Sequence, residues 1–286
     1  MHGILLAIVG IALFIYSYYL FAEIETKKPE ELDATCEIRT EQYMERKVFI
    51  ITPIEKEKTE TKILYFHGGS YVAEASEKHW EFIKKLVNDT GATVILPDYP
   101  LAPKYNYKDV FQMVVPLYKK IIEKVDAEHL IIMGDSAGGG ISLALVETLG
   151  KENIEMPEQT ILISPWLDVR LTNPKINEVQ KTDKQLNKET LKLAGVAYAS
   201  EDGIDSYLVN PIDGDLSKLK NVTILTGTND ILNPDAHVLK EKAEKLDVNI
   251  NLEEYEGAGH IWMIEKNSSE ELVEQGYQAI FNLVLR

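Results

Sequence analysis

Gly134-Asp135-Ser136-Ala137-Gly138 follows the short apolar run His129-Leu130-Ile131-Ile132-Met133 and leads into a segment, 137–151, with helical spacing. The pattern is G-x-S-x-G set between a strand and a helix, the context in which that motif carries chemistry. Such a turn is tight enough that a side chain at Gly134 or Gly138 would collide with the adjoining elements. Ser136 stands at its apex with the hydroxyl free to project. The first turn of the following helix offers unpaired N–H groups and partial positive charge to an anion formed there. A bare G-x-S-x-G is common, and a glycine-rich turn with an incidental serine fits it equally well. The rest of the chain decides between them.

Working outward, short apolar runs at 47–52, 63–66, 93–97, 129–133, 160–164, 222–226 and 250–255 have the length and composition of buried strands. Between them, helical spacing recurs at 77–88, 110–125 (interrupted at Pro116), 137–151, 234–246 and 269–285. Regular alternation of strand and helix predicts an α/β fold, a mostly parallel central sheet with helices on both faces. The stretch 23–45 is expected to be a charged, irregular connector, and 55–62 a solvated turn. The alternation stops over about 169–207, a polar stretch with weak helical character around 188–198. That stretch is expected to be a cap inserted over the C-terminal edge of the sheet.

The 286 residues are 45% apolar and 27% charged, ordinary for a globular protein. A net charge of −16, from 46 acidic against 30 basic residues, argues against a nucleic-acid partner, because phosphates would be repelled. The single cysteine, Cys36, excludes an internal disulfide and a cysteine-rich zinc site. No metal or organic cofactor is expected.

Residues 3–22, GILLAIVGIALFIYSYYLFA, carry no formal charge. As a helix they would span about 30 Å, the thickness of a bilayer core. Tyr16, Tyr18 and Tyr19 gather near one end, as interfacial aromatics do. No basic region precedes the run and no small-residue cleavage site follows it, which disfavours a cleaved signal. The segment 1–24 is therefore expected to be a single membrane anchor on a catalytic domain spanning 25–286. The side of the membrane is open. The alternative is a soluble, cytoplasmic protein in which 3–22 is a cap helix. Oligomeric state is not legible.

Three loops, each directly after a predicted strand, carry Ser136, Asp230 and His260 in that order. Loops after the strands of a parallel sheet emerge on one edge, so these residues can converge. A serine nucleophile needs a base to take its proton, and the base needs a carboxylate to fix its tautomer and stabilise its charged form. The six histidines make the base nearly an elimination. His2 precedes the apolar run, His79 and His237 fall in or at the start of helices, and His129 opens a strand at the far edge. His67 sits in a glycine turn that it can hold in shape. His260 alone lies in a glycine-flanked loop after the last strand. For the acid, Asp230 is preferred over Asp235, Asp168 and Asp98.

These segments resemble the hormone-sensitive-lipase-like esterases, a group within the α/β-hydrolase fold. His67-Gly68-Gly69-Ser70 resembles the H-G-G-G oxyanion loop of that family, and Asp98-Tyr99-Pro100-Leu101-Ala102-Pro103 its D-Y-R-L-A-P segment. Gly134-Asp135-Ser136-Ala137-Gly138-Gly139 matches the G-D-S-A-G-G elbow without change. Pro165-Trp166-Leu167-Asp168, the acid segment 227–232 and Gly259-His260 follow in family order, so the resemblance covers about 63–264. It implies an α/β-hydrolase fold and hydrolysis of short- to medium-chain carboxylic esters, with Ser136, Asp230 and His260 as the triad. It also implies that Gly68, Gly69 and Ala137 donate N–H groups to the oxyanion. Ser70 and Pro100 depart from the family pattern and bear on loop packing and one charge contact. Tyr71, Trp166 and Leu167 are candidate pocket walls, equally well read as core. Asp135 is expected to anchor the turn. The competing functions are a non-catalytic ligand-binding protein on the same scaffold, and an amidase or peptidase using the same triad.

Overall fold

The computed structural model describes residues 35–286. One eight-stranded sheet runs through the molecule: β1 (Cys36–Tyr43), β2 (Arg46–Pro53), β3 (Lys62–Phe66), β4 (Thr93–Pro97), β5 (Leu130–Asp135), β6 (Gln159–Ile163), β7 (Val222–Gly227) and β8 (Ile250–Tyr255), in the spatial order β1-β2-β4-β3-β5-β6-β7-β8. β2 pairs antiparallel with both β1 and β4; every pairing from β4 through β8 is parallel. The six parallel strands therefore end on one edge, where His67, Ser136, Ser164, Asp230 and His260 begin or follow the loops.

The central strands β4 and β5 are buried along their whole length. Their unbroken Val, Ile and Leu runs are the signature of a sheet covered on both faces. One face is packed by α2 (Tyr107–Ile122), α3 (Ala137–Glu152) and α6 (Asn233–Glu244); the other by α1 (Glu77–Thr90) and α8 (Glu270–Val284). Each face has its own apolar cluster. Leu64, Ile132, Leu162 and Ile224 point to the first; Ile63, Ile131, Ile161 and Leu225 point to the second. Adjacent strand residues thus go to opposite faces, as the period of two requires. Side chains cap the helices: Ser76 opens α1, Asn106 opens α2 and Ser269 opens α8, each accepting an amide of the first turn.

Two sequence expectations are corrected here. Cys36–Tyr43 is a strand, although 23–45 reads as a connector. β1 is an edge strand with Glu37, Thr40, Glu41 and Gln42 exposed, so it has no apolar alternation to announce it. Pro116 does not interrupt α2. Val114, Val115, Leu117 and Tyr118 around it are all buried, and that packing outweighs the single backbone hydrogen bond a proline removes.

The insertion after β6 contains α4 (Ile176–Val179) and α5 (Lys188–Ala199). It touches the edge where the strands end. The Tyr198 ring of α5 stacks on Tyr71 with centroids 3.7 Å apart, Asn173 bonds to Asp235, and Asp183 bonds to the Ile231 amide. The apolar run 3–22, read as an anchor or a cap helix, lies outside the described residues. Among the described residues, no helix is long and apolar enough to cross a membrane.

Candidate active site

Ser136 is the N-cap of α3 and holds φ 51°, ψ −119°, a conformation that L residues rarely adopt. Neighbouring hydrogen bonds keep it there. The Ser136 amide donates to Ile163 O at 2.9 Å, and its carbonyl accepts from the amides of Trp166 at 2.8 Å and Gly140 at 3.1 Å. Its hydroxyl is not used to cap the helix. Gly138 is required by close approach: a β-carbon there would lie 2.0 Å from Phe66 O at the end of β3. The elbow is thus clamped between β3 and β6, and the helix that starts at Ala137 leaves that amide without an intrahelical acceptor.

His260 and Asp230 meet. His260 Nδ1 lies 2.8 Å from Asp230 Oδ2, and both side chains are buried. The other oxygen of Asp230 accepts the Leu232 amide at 2.9 Å, which fixes the rotation of the carboxylate. With Asp230 Oδ2 as the acceptor, His260 carries its proton on Nδ1 and leaves Nε2 as the basic nitrogen. Burial opposes the charged imidazole, but Asp230 overcomes it, and the His260 pKa is raised above the ordinary value; Asp183 and Asp135 add to the effect. The His260 loop is tied down by residues that no sequence pattern singles out. Ser164 Oγ accepts the Ile261 amide at 3.2 Å, and Asn267 donates to His260 O at 3.3 Å.

The rival acids are engaged elsewhere. Asp98 forms a buried ion pair with Arg46 at 3.1 Å. Asp168 takes Arg170 Nε at 2.7 Å, and Arg170 reaches on to Asp213. Asp235 accepts from Asn173 at 2.9 Å, and burial pushes its carboxyl up to about 6.

Asp135 holds a larger place than its sequence position suggested. It is fully buried, with Oδ1 accepting from the Tyr65 hydroxyl at 2.6 Å and from the Gly68 amide at 3.0 Å. Its Oδ2 lies 3.1 Å from His79 Nε2. The Ser76 amide donates into His79 Nδ1 at 3.0 Å, so that nitrogen bears a lone pair and the ring gives its Nε2 proton to Asp135. Burial would raise the Asp135 pKa; His79 and Tyr65 reverse that and hold it below the ordinary value. His67 stacks on Tyr99 at 4.5 Å and is kept neutral by burial, its pKa lowered to about 4. Tyr99 in turn donates to His67 O at 2.7 Å. The loop between β3 and α1 is therefore built on a buried polar base beneath Ser136. His79 could not be found from the sequence, since its partner lies 56 residues away and nothing in helical spacing marks it.

This buried base bears on the Gly68 expectation. Gly68 sits against Ser136, with a β-carbon there falling 3.0 Å from Ser136 Cβ, but its N–H is committed to the Asp135 carboxylate. It has no proton left for an oxyanion. The next two amides, Gly69 and Ser70, have no acceptor among the described residues. Gly69 takes φ 119° and Ser70 φ 55°.

For Tyr71, Trp166 and Leu167 the structure fits the core alternative. All three are essentially fully buried within one apolar cluster. Tyr71 is sandwiched between Tyr198 and Trp166, the latter with centroids 5.3 Å apart. They join the cap to the sheet and present no surface to a ligand. Among the described residues, no group of three or more His, Cys, Asp or Glu side chains is arranged to hold a metal ion.

A family model described as the alpha/beta hydrolase fold matches residues 63–264. The chain belongs to the α/β-hydrolase fold family. The matched segment begins in β3 and ends just past His260, as the motif resemblance does. An esterase of Acinetobacter venetianus is 32% identical over 198 residues, 68% of this chain and 65% of the relative. An acetyl-hydrolase of Streptomyces hygroscopicus is 26% identical over 201 residues, 70% of this chain and 67% of the relative. The chain spans about two thirds of the length of these curated relatives. Among solved structures, an esterase from the bacterial hormone-sensitive lipase family superposes with a TM-score of 0.80 at 23% identity, covering 90% of this α/β-hydrolase and 86% of the other chain. EstE5, in a crystal soaked by p-nitrophenyl butyrate, gives 0.81 at 21% identity, covering 96% and 97%. At these identities the structural likeness speaks to the fold.

Proposed function

We propose that this α/β-hydrolase is a serine carboxylesterase acting on short- to medium-chain carboxylic esters through an acyl-enzyme. The observation that carries the reading is the 2.8 Å contact of His260 Nδ1 with Asp230 Oδ2, on the sheet edge where Ser136 stands at a strained elbow. His260 Nε2 takes the Ser136 proton as Oγ attacks the ester carbonyl. The imidazolium, stabilised by Asp230, then returns the proton to the departing alcohol. Water, activated by the same nitrogen, releases the acyl group. The Ala137 amide at the start of α3 and the Gly69 amide donate to the tetrahedral oxyanion, with Ser70 supplying the donor that Gly68 cannot. Each donor is worth about 3 kcal/mol in the transition state.

The esterase and acetyl-hydrolase names of the relatives support esters as the bond type. The purified chain is expected to hydrolyse p-nitrophenyl acetate and butyrate, to leave the matched anilides nearly untouched, and to be labelled on Ser136 by a fluorophosphonate probe. Faster cleavage of the anilides would favour the amidase reading. Failure to label Ser136, with no ester turnover, would favour a binding protein on a hydrolase scaffold.

Asp235 supplies a test of the acid assignment. Its carboxyl has a folded-state pKa raised from 3.8 to about 6, chiefly by burial. Stability from the neutral form is complete below the ordinary carboxylate value and is lost as pH rises through 6. Asp235→Asn removes the cost of burying the charge and keeps an acceptor for Asn173. The variant is expected to be more stable at pH 8 by about 2 kcal/mol in denaturant titrations, with the gain vanishing near pH 4 and ester hydrolysis unchanged. Loss of hydrolysis would move the acid role away from Asp230.

The apolar run 3–22 supports membrane attachment as part of the same reading. Full-length protein is expected in the membrane fraction and a chain lacking 1–24 in the soluble one. Full-length protein found wholly soluble would favour the cap-helix alternative.

A further inference from the structure

The cap insertion reaches the acid loop through one side chain. Asp183 Oδ2 accepts the Ile231 amide at 3.0 Å, and Ile231 is the residue directly after Asp230. The other oxygen, Oδ1, accepts the amides of Gln185 at 2.8 Å and Leu186 at 2.9 Å, closing a turn of the cap on itself. The Asp183 amide donates to Val179 O at 3.0 Å, so the residue is held from its own backbone as well. The turn lies against the base loop. A β-carbon on Gly259, the residue before His260, would fall 3.1 Å from Gln185 Oε1. One carboxylate, carried by a polar insertion, thus bonds next to the acid while its turn covers the loop of the base.

We propose that Asp183 is a positioning residue for the Asp230–His260 pair, fixing the acid loop through the Ile231 amide and holding a second negative charge beside the imidazole. The inference rests on the carboxylesterase reading. Two consequences follow from the chemistry of the contact. The Ile231 amide donates to a carboxylate, a charge-assisted bond that helps hold the acid loop with Asp230 Oδ2 aimed at His260 while Oδ1 takes Leu232. The imidazolium that forms during catalysis is also surrounded by charge from several elements. Asp230 faces it from the loop after β7, Asp135 from the elbow and Asp183 from the cap, with His79 of α1 opposing them. Removing the cap's share makes His260 easier to deprotonate.

Asp183→Asn keeps an oxygen for the turn but has no charge, and its amide nitrogen meets the Ile231 N–H donor to donor. The full chain is measured with p-nitrophenyl butyrate across pH, and the His260 ring is titrated by NMR in a Ser136→Ala background. The expected result is a fall in kcat of about tenfold with KM little changed. The acid limb of kcat/KM and the His260 titration should both move to lower pH. Asp183→Ser, which retains a hydroxyl acceptor and no charge, gives a second variant should the asparagine not fold, and the same shifts are expected. An unmoved His260 titration, or a changed melting temperature with kcat and the acid limb unchanged, overturns the proposal and leaves Asp183 a structural contact. Absence of Ser136-dependent turnover in the unmutated chain would instead overturn the carboxylesterase reading, and the ring titration would still report on Asp183.

Discussion

Ser136→Ala is expected to lower kcat/KM for p-nitrophenyl butyrate on the order of 10^6-fold, to the level left by binding and the oxyanion donors alone. The size follows from the role. In the proposed mechanism the substitution removes the atom that forms the bond to the acyl carbon, and neither Asp135 nor Ala137 beside it at the apex between β5 and α3 carries a hydroxyl. The backbone does not need the serine. The turn is held by the Ser136 amide on Ile163 O and by the Trp166 and Gly140 amides on its carbonyl, and all three bonds survive truncation. The hydroxyl contributes no helix cap, so its loss leaves α3 as it was. Alanine accepts φ 51° about as poorly as serine, so the strain is neither added nor relieved. The variant should melt within about 1 kcal/mol of the unmutated chain, and fluorophosphonate labelling should disappear. Equal rates for variant and unmutated chain would remove Ser136 from the mechanism. A collapsed melting transition would mean that the lost rate reported on folding.

How much of this could be read from the amino acids depends on the range of each interaction. Strands β3 to β7 announce themselves because both faces are buried, leaving continuous runs such as Thr93-Val94-Ile95-Leu96. β1 does not, because an edge strand exposed at Glu37, Glu41 and Gln42 has a polar composition. The triad candidates were legible because each lies in a glycine-bearing or strand-ending loop, and a parallel sheet delivers such loops to one edge. The support beneath them was not. Asp135 reaches Tyr65, Gly68 and His79 across 56 to 70 residues, and no local pattern encodes a carboxylate that accepts three protons at once. The same contact bears on Gly68 as an oxyanion donor. A glycine amide next to the nucleophile looks available in a sequence, and only the fold reveals that a buried aspartate already holds it. Tyr71, Trp166 and Leu167 could be read only as pocket wall or core for a related reason. Aromatic and aliphatic residues after a strand serve equally in a pocket or in a core, and the partner that decided the matter, Tyr198, lies in the insertion where periodicity was weakest.

The second large effect belongs to Asp230→Asn, expected to lower kcat about 10^4-fold with modest change in KM. Asp230 Oδ1 is fixed by the Leu232 amide, a donor that demands an oxygen. An asparagine satisfying Leu232 must therefore turn its NH2 toward His260 Nδ1, where the aspartate had an oxygen at 2.8 Å. Two donors cannot share that contact, so His260 adopts the tautomer with Nδ1 bare and the proton on Nε2. That places a proton on the nitrogen that must accept one from Ser136. The pH dependence changes as well. In the unmutated chain Asp230 raises the His260 pKa against the opposing effect of burial. Hydrolysis requires the neutral ring, so the acid limb lies above the ordinary imidazole value of about 6.5 and activity is lost as pH falls through it. Without the carboxylate, burial dominates and the limb moves to lower pH. The stability sign is the reverse. A raised histidine pKa contributes stability that is complete below the ordinary value and fades as pH rises through the raised one. Denaturant midpoints should therefore separate the variant from the unmutated chain more at pH 6 than at pH 9. An acid limb that stays in place in Asp230→Asn would mean that His260 draws its stabilising charge from another carboxylate.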